Sequence, residues 1–530
     1  MDDSERRDRR DLTTAEMFEH LQAARREHLD ENRPAAVESQ HEQGKLTARE
    51  RIDYLLDAGT FEEIGRLAAP APSTPETQDW DRDDAPFDGI VAGFGEVDGR
   101  PVAVVATDFT IKGGSIGHTG GKKLRRTADQ AVRRGVPFLM LHDGGGHRIQ
   151  EGLDARTFAH AGDFMFQTKA SGWVPQVSAM MGPGFAAATN YAAGCDFVPI
   201  VEGTATMGVA GPALVEAALG KEFTKQELGS AQFQTSETGM ADLACADDEA
   251  CLDAVKRYLS YLPTNASEDP PVERTDPPHE EDRERLRTII PNDTRKGYDI
   301  HEVLAGIVDQ DSVFEVKPTF ARNVVTAFAR IDGRPVGIVA NNPRHLAGTF
   351  DTPASDKASR FISTCDAFGL PLVFLADVPG VLPGPDAERQ GIARHSGKVI
   401  YEINRATVPI VSVVMRRAYG FGYVLMAGGR ETDLSVAWPT AEISAMGIEG
   451  AVDIAYRREV EAADDPQAKR EELVREFVGR TGAVRSVADL GVDAAIDPYE
   501  TRDRITGALE RARAEERDGW PPKKHSINPQ

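Results

Sequence analysis

The chain has little cysteine, a deficit of positive charge and no long apolar run. Its four cysteines, Cys195, Cys245, Cys251 and Cys365, form no CxxC pair. That spacing excludes zinc ribbons and dithiol redox motifs, and predicts reduced, buried thiols in a cytoplasmic protein. Lys and Arg number 61 against 85 Asp and Glu, a formal net charge of −24. A phosphate polymer needs a basic footprint, so nucleic acid is excluded as a partner. The same acidity favours solubility in high salt. No apolar stretch is long enough to cross a bilayer, and the charged start Met1–Arg7 has no apolar run behind it. Neither a membrane span nor a signal peptide is expected. The P-loop pattern G-x-x-x-x-G-K-[ST] is missing as well.

What the chain does have is a repetition. Val97-Asp98-Gly99-Arg100-Pro101-Val102 returns as Ile331-Asp332-Gly333-Arg334-Pro335-Val336, at an offset of 234 residues. The register holds without a gap from Asp98 to Pro175. Lys123 pairs with Lys357, Gly135 with Gly369, Asp143 with Asp377, and Val174-Pro175 with Val408-Pro409. A solenoid would repeat every 20–50 residues or so. One α/β unit has been duplicated.

Each copy reads as hairpin, helix, strand, helix, strand, small-residue turn and helix. Asp98-Gly99 is a hairpin turn between β-branched runs. Lys122 to Arg134 reads as a helix stopped by Gly135, and Pro137 to His142 as a buried strand. A helix is expected over 153–170. Residues 1–60 read as helical, with one helix opening near Thr47 and carrying Ile52, Leu55 and Leu56. Residues 66–86 read as loop. The predicted organisation is α/β with two similar domains. The first spans 1–270 with a helical extension, 271–297 is a Pro- and charge-rich linker, and the second spans 298–530.

Two turns stand at equivalent places, each between a buried strand and a helix. They are Met181-Gly182-Pro183-Gly184-Phe185-Ala186-Ala187-Ala188 and Arg416-Arg417-Ala418-Tyr419-Gly420-Phe421-Gly422-Tyr423. Small residues there leave backbone N–H groups approachable, which suits an oxyanion site. Tight helix–sheet packing would use the same residues. The glycine-rich loops after Asp143 and Asp377 leave the ends of buried strands, where α/β sheets bind ligands. Gly113-Gly114-Ser115-Ile116-Gly117 fits G-x-S-x-G but lacks the strand-then-helix context of a nucleophile elbow. Lys112, Lys122, Lys123, Arg125 and Arg126 crowd one region. They form either a solvated helix face or an attraction for a phosphorylated cofactor. His142 and His147 flank the first glycine loop without a third ligand at fixed spacing, so no metal is expected.

These motifs, in order, resemble a family. Gly44-Lys45-Leu46-Thr47-Ala48-Arg49-Glu50-Arg51-Ile52, Gly113–Gly117, Arg148-Ile149-Gln150-Glu151-Gly152, Asp377-Val378-Pro379-Gly380 and Ala437-Trp438-Pro439-Thr440-Ala441-Glu442 are its landmarks. The chain resembles the carboxyltransferase (beta) subunit of biotin-dependent acyl-CoA carboxylases, propionyl-CoA carboxylase type, from about Gly44 to the tail. The resemblance implies two crotonase-like domains per chain, a homohexamer, acyl-CoA held mainly by the first domain and carboxybiotin by the second. It implies transfer of the carboxyl group to the α-carbon of the thioester through an enolate. Backbone oxyanion holes fall on Ala186 with Ala187 and on Phe421 with Gly422. Cofactor contacts fall on Gly113, Gly114, Ser115, Gly145, Gly146, Arg148, Pro379, Gly380, Tyr419 and Gly420, and an acyl-pocket position on Val424. The family usually reads Gly-Gly at the first hole and Gly-Ala at the second. Short-chain members often carry Asp at the position of Val424, and Glu is usual at that of His118. Neither an ATP-grasp phosphate loop nor a biotinyl Ala-Met-Lys-Met occurs here. A biotin carboxylase and biotin carboxyl carrier partner is therefore implied. An acyl-CoA diacid decarboxylase of the same fold and a non-catalytic acyl-CoA-binding paralogue are the alternatives.

Overall fold

At the tip of the first hairpin Asp98 and Gly99 both have positive φ, 51° and 73°; Asp332 and Gly333 repeat this at 52° and 75°. Two consecutive left-handed residues give the turn whose twist matches that of the flanking strands. The repeat is therefore structural as well as textual. The computed structural model describes residues 12–27, 29–70, 85–153, 155, 165–293, 295–429, 432–512, 525 and 527. Residues 71–84, most of 153–164 and most of the tail lie outside the described residues, and with them part of the expected loop and of the expected helix over 153–170.

The chain divides into two units, Met1–Gln234 with Ala244–Lys256, and Thr235–Leu243 with Arg257–Gln530. In the first, Ile90–Val97 and Arg100–Thr107 form the antiparallel hairpin. Phe138–His142 and then Gln176–Met180 add in parallel. Parallel neighbours need a crossover, and His118–Arg134 supplies it. Its buried residues Gly120, Lys123, Leu124, Thr127, Ala128 and Ala131 recur at helical spacing along one face. Gly135, at φ 66°, caps its C-terminus. Upstream, Thr47 and Glu50 form a capping box on the helix Ala48–Leu55, which buries Arg51, Ile52 and Leu55.

The second unit repeats the order with every strand start shifted by the same 234 residues: Val324–Ile331, Arg334–Asn341, then parallel Leu372–Val378 and Ile410–Tyr419, the last two running further than their counterparts. Its crossover helix is Thr352–Ala367. Val325, Ile338, Val373, Leu375, Val411, Val413 and Trp438 form one core. Each such side chain contributes about 1.5–3 kcal/mol by leaving water. Residues 257–293 belong to this unit rather than forming a free linker. The buried Arg330 donates to Pro271 O at 2.8 Å, and Glu273 N donates to Gly333 O at 3.0 Å. The Pro- and charge-rich composition marks a solvent-facing strap, which includes the short helix Glu280–Arg285. All four cysteines are buried free thiols, as their spacing predicted. Among the described residues no helix is long and apolar enough to cross a membrane.

Candidate active site

In the first unit the loop after Phe138–His142 begins at Asp143, a fully buried carboxylate. Lys45 reaches it at 3.0 Å and Arg51 at 2.9 Å, and Gln40 donates a third bond. Arg51 also pairs with Asp248 at 2.8 Å and donates to Met181 O at 3.2 Å. One guanidinium thus ties the glycine loop to the strand end that leads into the turn. Burial lowers the Lys45 ammonium pKa, and Asp143 opposes that shift.

Glycines let this loop touch its neighbour. A Cβ on Gly114 would lie 2.1 Å from Asp143 O, and one on Gly144 would lie 2.1 Å from Gly114 O. Ile116 N donates to Gly146 O, and Arg148 N returns a bond to Ile116 O. Gly113, Gly114 and Ser115 are therefore the rail on which the loop sits. Arg148, expected on a cofactor, is buried beneath it. Its guanidinium pairs with Asp88 at 2.5 Å and Glu151 at 2.8 Å and donates to Ser115 O at 3.2 Å. A charge so enclosed braces the loop and has no face for a phosphate.

Of the first predicted donor pair, Ala186 has φ 61°, and its N–H is taken by Gly208 O at 2.9 Å. Ala187 opens the helix Ala187–Ala193, and among the described residues nothing accepts its N–H. The same is true of Gly146 N. A Cβ on Gly146 would stand 3.2 Å from Ala187 N, so the two open amides are neighbours. Gly145, expected on a cofactor, spends its N–H on Gly113 O at 3.3 Å.

The second unit presents the same parts. Asp377, also fully buried, receives Arg416 and Arg417, each at 2.7 Å. Pro379 and Gly380 follow it as Gly145 and Gly146 follow Asp143. Gly420, at φ 52°, matches Ala186. The short helix Gly420–Leu425 starts there, and the N–H groups of Gly420, Phe421 and Gly422 find no acceptor among the described residues. A Cβ on Gly422 would lie 2.8 Å from Gly380 Cα and 2.7 Å from Val378 Cγ2, so glycine is required. The Phe421 ring is 46% exposed and Val424 39% exposed, so both are open to a ligand. Tyr419 holds the turn from outside by donating its hydroxyl to Glu442 at 2.5 Å. Burial and then that carboxylate raise its pKa.

Lys123, read from the sequence as part of a solvated helix face or of an attraction for a phosphorylated cofactor, is buried. It donates to the carbonyls of Phe87 and Ile90, and burial lowers its pKa to about 8. Lys122, Arg125 and Arg126 of the same cluster are exposed. Burial alone pushes His142 down to about 4, and its ring stacks on Tyr191. Such an imidazole is neutral at pH 7. No group of three potential metal ligands gathers among the described residues. Lys45 and Arg51 received no role from sequence spacing. Their only signal is their place in the motif Gly44–Ile52.

Two tandem units, each carrying a strand-end loop and a small-residue turn with open amides, define an α/β enzyme of the crotonase-like carboxyltransferase class. The carboxyl transferase domain family matches residues 39–527, and the chain belongs to it. It is 44% identical to the carboxyltransferase subunit of propionyl-CoA carboxylase from Haloferax mediterranei, over 98% of this chain and 100% of that protein. It is 38% identical to the alpha subunit of methylmalonyl-CoA decarboxylase from Propionigenium modestum, over 93% of this chain and 95% of that one. Among solved structures it matches transcarboxylase 12S, a hexamer with methylmalonyl-coenzyme A and methylmalonic acid bound. The TM-score is 0.87 at 40% identity, covering 96% of this chain and 99% of that one.

Proposed function

We propose that the chain transfers a carboxyl group from carboxybiotin, carried by a separate protein, to the α-carbon of an acyl-CoA thioester, and that it works as a homohexamer. The observation that carries this reading is the doubled donor set. Open amides stand at Gly146 and Ala187 in the first unit and at Phe421 and Gly422 in the second, where Phe421 is the repeat partner of Ala187 and Gly380 that of Gly146 at the same offset of 234 residues. Two polarised carbonyl oxygens must be steadied in such a transfer, one on each reactant. The amides of Gly146 and Ala187 hold the thioester oxygen as negative charge develops on it. Gly146 replaces Ala186 in this role, because Ala186 N is already bonded. Phe421 and Gly422 hold the ureido oxygen of the biotin ring, with Gly380 packed against them. Each donor aimed at a developing oxyanion contributes about 3–4 kcal/mol to lowering the barrier. Biotin supplies the activated carboxyl group and, once that has left, the base for the α-proton. No side chain is then needed as base. The exposed Phe421 ring and Val424 form an apolar wall against which the acyl chain or the carrier's ring lies.

The likeness to a decarboxylase subunit supports a second reading, removal of the carboxyl group from an acyl-CoA diacid by the same donors run in reverse. One assay separates the readings. The protein is mixed with a biotin carboxylase, a biotinylated carrier, ATP and labelled bicarbonate, and acyl-CoAs are screened. Label fixed in an acyl-CoA supports carboxyl transfer. Consumption of malonyl- or methylmalonyl-CoA without fixation selects decarboxylation. Binding of acyl-CoA with neither reaction, beside a verified partner, overturns both.

A further inference from the structure

The second unit contains a cavity that shares no residue with the donor turns. It lies along the helices Thr352–Ala367 and Ile392–Arg405 and measures about 850 Å³. Lys317, Lys357, Arg360, Arg394 and Lys398 line it, with Tyr401 beside them. Two carboxylates, Asp356 and Glu402, also face it. Both already have cations. Asp356 is shared by His395 and Lys398, each at 2.8 Å, and Glu402 pairs with Arg405 at 2.7 Å. Lys317 is matched by Asp242 at 2.9 Å. Lys357 is different. It donates to two backbone carbonyls, Lys317 O at 2.8 Å and Phe320 O at 3.0 Å. Among the described residues neither Lys357 nor Arg394 has a carboxylate within ion-pairing distance. A surplus of positive charge is thus gathered in one concavity of a chain whose net charge is −24.

A further feature concerns space rather than charge. Gly397 sits inside the helix Ile392–Arg405, where a Cβ would find nothing within 4 Å. Glycine inside a helix costs about 0.5–1 kcal/mol relative to alanine. Neither a positive φ nor a close neighbour requires it there. What its missing side chain provides is volume in the cavity. Burial lowers Lys357 to about 7, with Lys317 repelling it in the same direction. Glu315 opposes that shift, but its carboxylate is not within ion-pairing distance of Lys357.

We propose that this cavity binds a phosphate-bearing small molecule of nucleotide size. Arginine and lysine meet phosphate oxygens through charge-assisted hydrogen bonds, with Arg394 at the open side and Lys357 at the floor. The Tyr401 ring, 64% exposed, offers a face on which a base can stack. The volume lies in the range of small-ligand sites, about 300–1,000 Å³.

Calorimetric titration of the full-length protein with ADP tests the proposal, with inorganic pyrophosphate and a poly-glutamate peptide as comparison titrants. Two variants accompany it: Gly397→Leu, which fills the cavity without touching a charge and favours the helix, and Arg394→Glu, which reverses a surface charge. The expected result is one ADP per chain, weakened at least tenfold in each variant and unaffected by saturating acyl-CoA. Pyrophosphate binding as tightly as ADP supports the phosphate site and removes the base from it. Lack of ADP and pyrophosphate binding at millimolar concentration overturns the proposal. So does ADP binding indifferent to both variants or displaced by acyl-CoA, or poly-glutamate binding more tightly than either phosphate compound.

Discussion

Asp143 and Asp377 occupy the same position in the two units and are both fully buried, yet they are neutralised by different parts of the chain. Asp377 takes two arginines from its own neighbouring strand, Arg416 and Arg417. The repeat partners of those arginines are Gly182 and Pro183. A Cβ on Gly182 would overlap Asp143 Oδ1 at 1.8 Å, so no side chain can stand there. The cations come instead from the N-terminal extension, through Lys45 and Arg51. Duplicated folds keep the geometry of a strand-end loop while exchanging the source of its counter-ions. The first unit depends on a segment outside the repeat, and the second is self-sufficient.

Breaking that dependence has the largest expected effect. Arg51→Met leaves Asp248 without its guanidinium and Asp143 with Lys45 as its one remaining cation, beside the Gln40 amide. Removing one partner of a buried pair costs about 3–5 kcal/mol. Arg417→Met should cost less, because Arg416 still holds Asp377 at 2.7 Å. Denaturant unfolding of both variants checks this, and equal losses would contradict the asymmetry. Next comes Gly422→Ala. The repeat partner Ala188 tolerates its Cβ, whereas one on Gly422 meets the Gly380 backbone at 2.8 Å. Displacing one oxyanion donor lowers turnover by about 10²–10³-fold. A steady-state assay should show kcat falling far more than acyl-CoA affinity. Tyr419→Phe follows, and makes the second turn resemble the first, where Phe185 stands. Losing a hydrogen bond to a carboxylate costs about 1.5–3 kcal/mol. Thermal unfolding should register the loss, while Glu442→Gln, which keeps an acceptor, should register less.

Much of the fold is legible in the residues, because its signals are local. Asp98-Gly99 and Asp332-Gly333 announce their hairpins, Gly135 ends its helix, and the offset of 234 residues carries one unit onto the other. The site is legible only in outline. Small residues mark the turns, but the fate of Ala186 N depends on Gly208, 22 residues later, and on a pairing of two short strands. Arg148 looks like an available cation until Asp88 and Glu151 close around it. Lys123 sits in a run of basic residues, and only the helix phase turns it inward while Lys122, Arg125 and Arg126 face solvent. Burial and long-range pairing are properties of the folded chain that neither composition nor spacing states.

The buried lysines give the finest comparison. Lys123 and Lys357 are repeat partners, each donating to two backbone carbonyls, and burial lowers the first to about 8 and the second to about 7. In the unfolded chain both titrate near 10.4. Between the folded and unfolded values the unfolded state binds more protons, so stability rises with pH; below the folded value that contribution is lost. For Lys357 the window opens near pH 7, and for Lys123 near pH 8. Lys357→Met should therefore flatten the stability profile from pH 7 upward, and Lys123→Met only from pH 8. The two variants should therefore diverge between pH 7 and pH 8, with Lys357→Met the first to depart from the parent profile. Urea midpoints at pH 7, 8 and 9 measure it. Coincident profiles would mean that the two ammonium groups sit in equivalent surroundings, and that the duplication has preserved more than its counter-ions indicate.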